Sequence, residues 1–419
     1  MKENFYKVNS KLNVDVDSIC DPVSNGYLFH KFYQFIHTDR IPTVNFAIND
    51  YLALSNEKRI KNAIKDLFRD GDVSSKVQNK TFKKAEEYLS WIYDKPILLY
   101  TSSILAHNAV IQNIIEANDA IIFDNLVHSN LKFFGEHLKT TRHHTEKIQH
   151  NCISALEERI VYLTKHHSKV WYIADSIYPI SGDVISINEI KRLLAKYEQF
   201  YVYIDDSKGM SWIGENGKGY ILNNMDHPKV VLSISLSKGF GCQGGVIVCH
   251  NDEIRNQISK QVEFDRFKTN KEHSILNAII ESSKIHLSNE IYTRQLELRE
   301  KIVFLNEFAK NLGLPIICED KIPTAFFLMR NPEISQEIRF KLFQKGYYLN
   351  VANFPAVSYS NSGITANVTL YQSINSIKIM LKTLDSEYRK VLKKKKMEPE
   401  NICTKCKTQE LPFKSFLKF

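Results

Sequence analysis

The chain has 419 residues, 43% hydrophobic and 25% charged, a balance that fits a globular protein with a large core and excludes a disordered chain. No apolar run approaches the ~20 residues of a membrane helix, and the opening "MKENFYKVNSKLNV" lacks the apolar stretch of a secretory leader, so a cytoplasmic protein is expected. Seven scattered cysteines fit a reducing compartment, and a net charge of +9, part of it held in the ending "RKVLKKKKMEPENICTKCK", does not make a nucleic-acid binder. Cys403 and Cys406 have metal-ligand spacing but no second pair beside them, so no metal site is expected.

In chain order, residues 1–45 read as a lead-in arm. Residues 46–287 alternate between strand-like and helix-like segments: "KPILLYTSS" then "HNAVIQNIIEA", "DAIIFD" then a helix, "KVWYIADS" then "INEIKRLLAKYEQ", then "FYVYIDDS" and "VVLSIS". That alternation predicts an α/β domain on a mostly parallel sheet. The segment "NEIYTRQLELREKIVFLNEFAKNLG" has helical spacing and ends on Gly313, a long connecting helix. Residues 288–390 then read as a smaller α+β domain, and residues 391–419 as a basic tail, most simply a solvated end, that could also meet nucleic acid, a membrane or an acidic carrier protein.

Ligands of such sheets gather at the carboxyl ends of strands. Polar residues fall at several of these ends: Ser102 and Ser103, the stretch from Asp124 to His128, Asp175, Asp205 and Lys238. In "SISLSKGFGCQGG" a lysine follows a buried strand and precedes a run of glycines, which let a backbone approach a ligand closely. A lysine so placed is costly unless used, and a Schiff base to a carbonyl cofactor uses it. Pyridoxal phosphate would further need a carboxylate against its ring nitrogen, a flat group over the ring and donors for its phosphate. Asp205, His128 and the helix start at Ser102–Ser103, with Ser235 and Ser237 flanking the lysine, could supply these. Each has a plainer reading as well: a turn cap, a surface histidine, an ordinary N-cap.

Six segments in register resemble one family. "NFAINDYLALS" is similar to "NF-x-x-NDYLGLS", "YTSSILAHNAVI" to "FSSGFAANQAVI", "FDNLVHSNL" to "D-x-L-x-H-A-S", and "IDDSKGMSWIGENGKGY" to "VDEAHGxGxxGxxGRG". "ADSIYPISGDVISINEI" and "SISLSKGFGCQGG" match two further motifs. Together, from about Asn45 to about Leu384, they resemble the α-oxoamine synthases, the pyridoxal-phosphate acyltransferases of the class II aminotransferase group. The resemblance implies a fold type I PLP-dependent transferase with a large α/β domain and a smaller C-terminal domain. It implies that an amino acid is condensed with an acyl thioester, carried by coenzyme A or an acyl carrier protein, to give an α-amino ketone. Lys238 would hold the cofactor and shuttle the α-proton, Asp205 would pair with the ring nitrogen, and His128 would stack on the ring. Ser103, Ile104 and Ser235 would hold the phosphate, with Asp175 and Lys208 also at the cofactor. Thr269 would reach the phosphate of a partner subunit in a homodimer, and Asn49 would contact a substrate or product carbonyl.

The departures bear on the substrate. The family's histidine in "DEAH" is Lys208, a point-charge donor in place of an imidazole. The glycine of "SSGF" is Ser103, and "DGDVSSKVQNKTF" replaces a glycine-rich stretch. The "R-L-R" strand whose arginine clamps the substrate carboxylate reads Thr365, Ala366, Asn367, which offers no guanidinium. Three accounts stay open. Lys76, Lys208 or Arg266 takes over the carboxylate, the substrate is an unusual amino acid or an amine in a reshaped pocket, or the chemistry is transamination or decarboxylation. A non-catalytic partner subunit is a further possibility, against which the retained Lys238 argues.

Overall fold

The computed structural model describes residues 44–65, 75–140, 143–178, 180, 182–259, 270–317, 322–353, 357 and 359–396. Its centre is a seven-stranded sheet ordered β2-β8-β7-β6-β5-β3-β4. The strands are β2 (Ile97–Tyr100), β3 (Ala120–Asp124), β4 (His144–Ile148), β5 (Val170–Asp175), β6 (Phe200–Asp205), β7 (Val230–Ser235) and β8 (Gly245–Val248), after a short β1 (Val44–Asn45). β7, β6, β5, β3 and β4 pair in parallel, whereas β8 runs antiparallel to both β7 and β2. The carboxyl ends of β2, β3, β5, β6 and β7 therefore share one edge, as the alternating sequence pattern predicts.

Apart from the polar edge strand β4, these strands are apolar almost throughout because both faces are covered. Ile122, Tyr172, Val202 and Leu232 pack into one core, while their neighbours Phe123, Trp171, Tyr203 and Val231 pack into another on the opposite face. Helices α1 (Lys58–Lys65), α2 (Ser75–Tyr93), α3 (Ser103–Ile114) and α4 (Ser129–Thr140) illustrate the layering. Leu89 of α2 joins the first core, and Ala106, Val110 and Leu131 of α3 and α4 join the second.

The long helix predicted between the two parts spans Glu290–Asn311, and Gly313 closes it with φ 71°. Beyond it lies a four-stranded antiparallel sheet, β12-β13-β10-β9, built from β9 (Ile316–Ile317), β10 (Thr324–Leu328), β12 (Asn350–Ala352) and β13 (Gly363–Asn367). The end of the arm and the stretch after it bond to this C-terminal part of the chain. β1 pairs in parallel with β11 (Tyr347–Tyr348), the Asn367 amide donates to the Phe46 carbonyl at 2.7 Å, and the Leu370 amide donates to the Tyr51 carbonyl at 2.9 Å. The last helix spans Ile374–Lys395 and buries Val391 and Leu392, so the expected start of the tail at residue 391 falls within a packed helix. Cys403 and Cys406 lie outside the described residues.

The glycines around Lys238 serve a purpose other than the one expected of them. A Cβ on Gly241 would come within 2.5 Å of the Ser55 amide, one on Gly239 within 2.7 Å of the Met210 carbonyl, and one on Gly245 within 2.4 Å of the Ser102 carbonyl. Protein backbone, not ligand, fills the space that these residues leave. They clamp the lysine loop between the Asn49–Asn56 stretch and the start of α3.

Candidate active site

Asp205 ends β6 and is 8% exposed. Its Oδ1 accepts the Ser207 amide at 2.9 Å, and its Oδ2 lies 3.5 Å from Nε2 of the fully buried His107. Burial alone would raise its pKa, but His107, the charge of Lys238 and the Ser207 bond outweigh burial and hold it well below the usual carboxylate range. It stays ionised.

Asp175 ends the adjacent strand, directly opposite Asp205 in the register. Its Oδ2 accepts the backbone amide of His128 at 2.9 Å, which fixes the turn that carries that ring. Burial, and then the charge of Asp205, push its pKa well up, so two neighbouring carboxyl groups divide the roles of ion and acid. His128 is half-buried, and burial followed by the charge of Lys238 lowers its pKa, leaving a neutral ring.

Lys238 sits half-buried on the loop between β7 and β8. Beside it, Ser235 and Ser237 share a hydroxyl contact of 2.8 Å, and the Ser207 hydroxyl accepts the Ser235 amide at 2.6 Å. Ser102 is the N-cap of α3 and accepts the Leu105 amide at 3.4 Å. Ser103 and the 49%-exposed Ile104 open that helix, where amide groups and the helix dipole attract an anion.

Lys208 is 7% exposed and donates to the Thr324 hydroxyl at 3.3 Å. Burial, reinforced by the charge of Lys238, pushes its pKa down to about 7. Thr324 in turn donates to Asn367 Oδ1 at 3.0 Å, and Asn367 Nδ2 donates to Asn49 Oδ1 at 3.1 Å. A one-way chain of donors thus joins the lysine in the family's histidine position, the asparagine in its arginine strand and Asn49. Thr324 and His107 were not singled out in the sequence. Thr269 and Arg266 lie outside the described residues, as does the side chain of Lys76.

Behind the His128 turn, Asp124 and Asp183 grip His150 from both sides, Asp124 at 3.0 Å, and the Tyr172 hydroxyl donates to Asp124 at 3.1 Å. Burial would depress the imidazole, but the two carboxylates prevail and raise it to about 9. A histidine whose folded pKa is raised stabilises fully below its unfolded value and loses that contribution as pH climbs through the folded one. Melting temperature should therefore fall between about pH 6.5 and pH 9. The His150→Gln variant should show a flatter profile over the same window in thermal denaturation.

The donor set fits pyridoxal phosphate. A lysine amine, a carboxylate held ionised in a buried site, a neutral aromatic ring and a helix N-terminus lie on one sheet edge, and the charge of Lys238 acts on the ionisation of Asp205, Asp175, His128 and Lys208. The aminotransferase class I and II family matches residues 41–370. The chain belongs to that family. It is also similar to 8-amino-7-oxononanoate synthase of Thermosipho melanesiensis, 25% identical over 83% of this chain and 89% of the relative. The same enzyme of Buchnera aphidicola subsp. Baizongia pistaciae is 23% identical over 85% and 91%. Among solved structures, serine palmitoyltransferase from S. paucimobilis, bearing a PLP–myriocin aldimine, superposes with a TM-score of 0.74 at 15% identity, over 88% of this chain and 99% of that one. The 8-amino-7-oxononanoate synthase of Francisella tularensis gives 0.69 at 18% identity, over 83% and 98%. These likenesses show the fold type I architecture of class I and II aminotransferases, which the seven-stranded sheet displays.

Proposed function

We propose that the protein is a pyridoxal-phosphate-dependent α-oxoamine synthase that joins an amino acid or related amine to an acyl thioester, releasing an α-amino ketone. The observation that carries this reading is the grouping of Lys238, Asp205 and His128 at one sheet edge, with Asp205 held ionised. A subunit without catalysis would have no use for a buried carboxylate kept charged at that cost. We read it further as a cytoplasmic homodimer taking its acyl group from coenzyme A or a carrier protein. Among the described residues no helix is long and apolar enough to cross a membrane.

When bound, the cofactor supplies an aldehyde for the substrate amine and a ring that accepts the electrons released at the α-carbon. Lys238 would hold that aldehyde covalently, and its amine, when free, would take and return the proton at the α-carbon. Asp205 keeps the proton on the ring nitrogen. His128, neutral and fixed through Asp175, covers one face of the ring and excludes water. The amides at Ser103 and Ile104, with the Ser235 hydroxyl, hold the phosphate. Asn49, its Oδ1 occupied by Asn367, is left to offer its amide N–H groups to a substrate carbonyl.

Thr365 and Asn367 are buried in the small sheet, and Asn367 is tied to Thr324, Ile48 and Asn49. Of the three basic residues that could meet a substrate carboxylate, where there is one, we choose Lys208, whose ammonium reaches this network through Thr324. The preference for an amino acid over its decarboxylated amine should weaken above pH 7, where Lys208 gives up its proton. Spectrophotometric titration of both ligands across pH checks this. A preference independent of pH, or one unchanged in Lys208→Met, would remove Lys208 from carboxylate recognition.

A further inference from the structure

His107 is fully buried on α3, yet none of the roles above uses it. Its Nδ1 lies 2.7 Å from the Tyr203 hydroxyl and 3.2 Å from the Ser233 hydroxyl. Its Nε2 has no hydrogen-bond partner among the described residues and points at Asp205 Oδ2 from 3.5 Å. A buried ring nitrogen without a partner is costly and rare, so its placement calls for a reason.

Proton bookkeeping supplies one. Two hydroxyl groups face Nδ1 and can donate to it, while a carboxylate faces Nε2 and can only accept. The neutral ring protonated on Nε2 satisfies both sides, with Tyr203 or Ser233 donating and Asp205 accepting. Tyr203 lies on β6 and Ser233 on β7, so a strand pair holds the His107 ring from behind while its Nε2 faces one oxygen of Asp205 and the Ser207 amide holds the other.

We propose that His107 is a positioning residue for Asp205: it orients the carboxylate toward the cofactor's ring nitrogen and keeps it a weak base, so that the shared proton stays on the nitrogen. The inference rests on the pyridoxal-phosphate reading above. Without His107 the carboxylate is free to rotate and becomes more basic, and both changes draw the proton off the ring. The electron sink at the α-carbon is then weaker even though every group that touches the cofactor is retained.

The test is the ¹⁵N resonance of the ring nitrogen in enzyme loaded with ¹⁵N-labelled pyridoxal phosphate, followed across pH. The wild type should show a protonated nitrogen through the neutral range. His107→Phe, which keeps the ring volume and removes both nitrogens, should show the resonance moved toward the unprotonated position throughout the neutral range, because the shared proton passes to Asp205. His107→Asn, whose side chain still donates, should restore most of the difference. Should His107→Phe fail to fold, ¹⁵N-histidine labelling of the wild type decides the matter, because the inference requires the Nε2-protonated tautomer. A folded, loaded His107→Phe enzyme with an unshifted ring-nitrogen resonance, or a wild-type ring protonated on Nδ1, would overturn it. A wild-type protein that takes up no cofactor would overturn the reading beneath it as well.

Discussion

Lys238→Ala is expected to lower turnover by at least about a thousandfold, since a positioned proton-transfer group typically contributes 10²–10⁴-fold and the covalent hold on the cofactor is lost along with it. The fold should survive. Lys238 is half-buried, and its loop is held by other means: the Gly241 amide bonds the Lys238 carbonyl at 3.0 Å, the Leu236 amide bonds the Gly244 carbonyl at 3.0 Å, and the glycine contacts with Ser55, Met210 and Ser102 are untouched. Borohydride reduction followed by peptide mass spectrometry gives an independent readout. The cofactor's mass should appear on the peptide carrying Lys238 in the wild type and on no peptide of the variant.

Asp205→Asn should cost about 10²–10³-fold in turnover, the usual effect of removing one preorganised electrostatic partner. The substitution is isosteric and keeps an oxygen for the Ser207 amide, so the change is in charge rather than packing. Two consequences distinguish it from unfolding. Asp175, which shares the register position and whose pKa is raised in part by Asp205, should ionise more readily once that charge is gone. His107 loses the carboxylate facing Nε2. Steady-state kinetics beside an unchanged near-ultraviolet circular dichroism spectrum checks the prediction. A loss smaller than tenfold would mean that Asp205 does not hold the ring-nitrogen proton.

Much of this architecture is legible from local pattern. Strands buried on both faces read as short apolar runs, and "VVLSIS" and "FYVYID" coincide with β7 and β6. The polar residues that end them mark the functional edge for the same reason, since only there does a continuous apolar strand give way to side chains with chemistry. What is not legible depends on groups brought together across the chain. His107 reads as one more residue of an amphipathic helix until β6 and β7 place Tyr203, Asp205 and Ser233 around it. Thr324 reads as a strand residue until its register opposite Asn367 makes it the link to Lys208. The glycines near Lys238 were legible as sites of close approach, but not as to what approaches, because Ser55 and Ser102 come from distant segments.

The arginine strand teaches the converse. A missing arginine is visible in "TAN" at once, whereas what replaces it is a chain of neutral and near-neutral donors that only the fold assembles. Buried polar groups demand partners, and here Asn367 finds them in Asn49, Ile48 and Thr324, the last of which also accepts from Lys208.

The central claim, condensation of an amine with an acyl thioester, is tested most directly by measuring free thiol released from acyl-coenzyme A and acyl carrier protein by the cofactor-loaded enzyme against a panel of amino acids and amines. The account predicts thiol release only when amine and thioester are both present, with one α-amino ketone formed per thiol and none formed by Lys238→Ala. A keto acid, or carbon dioxide and a simple amine, formed at full rate without any thioester would contradict it.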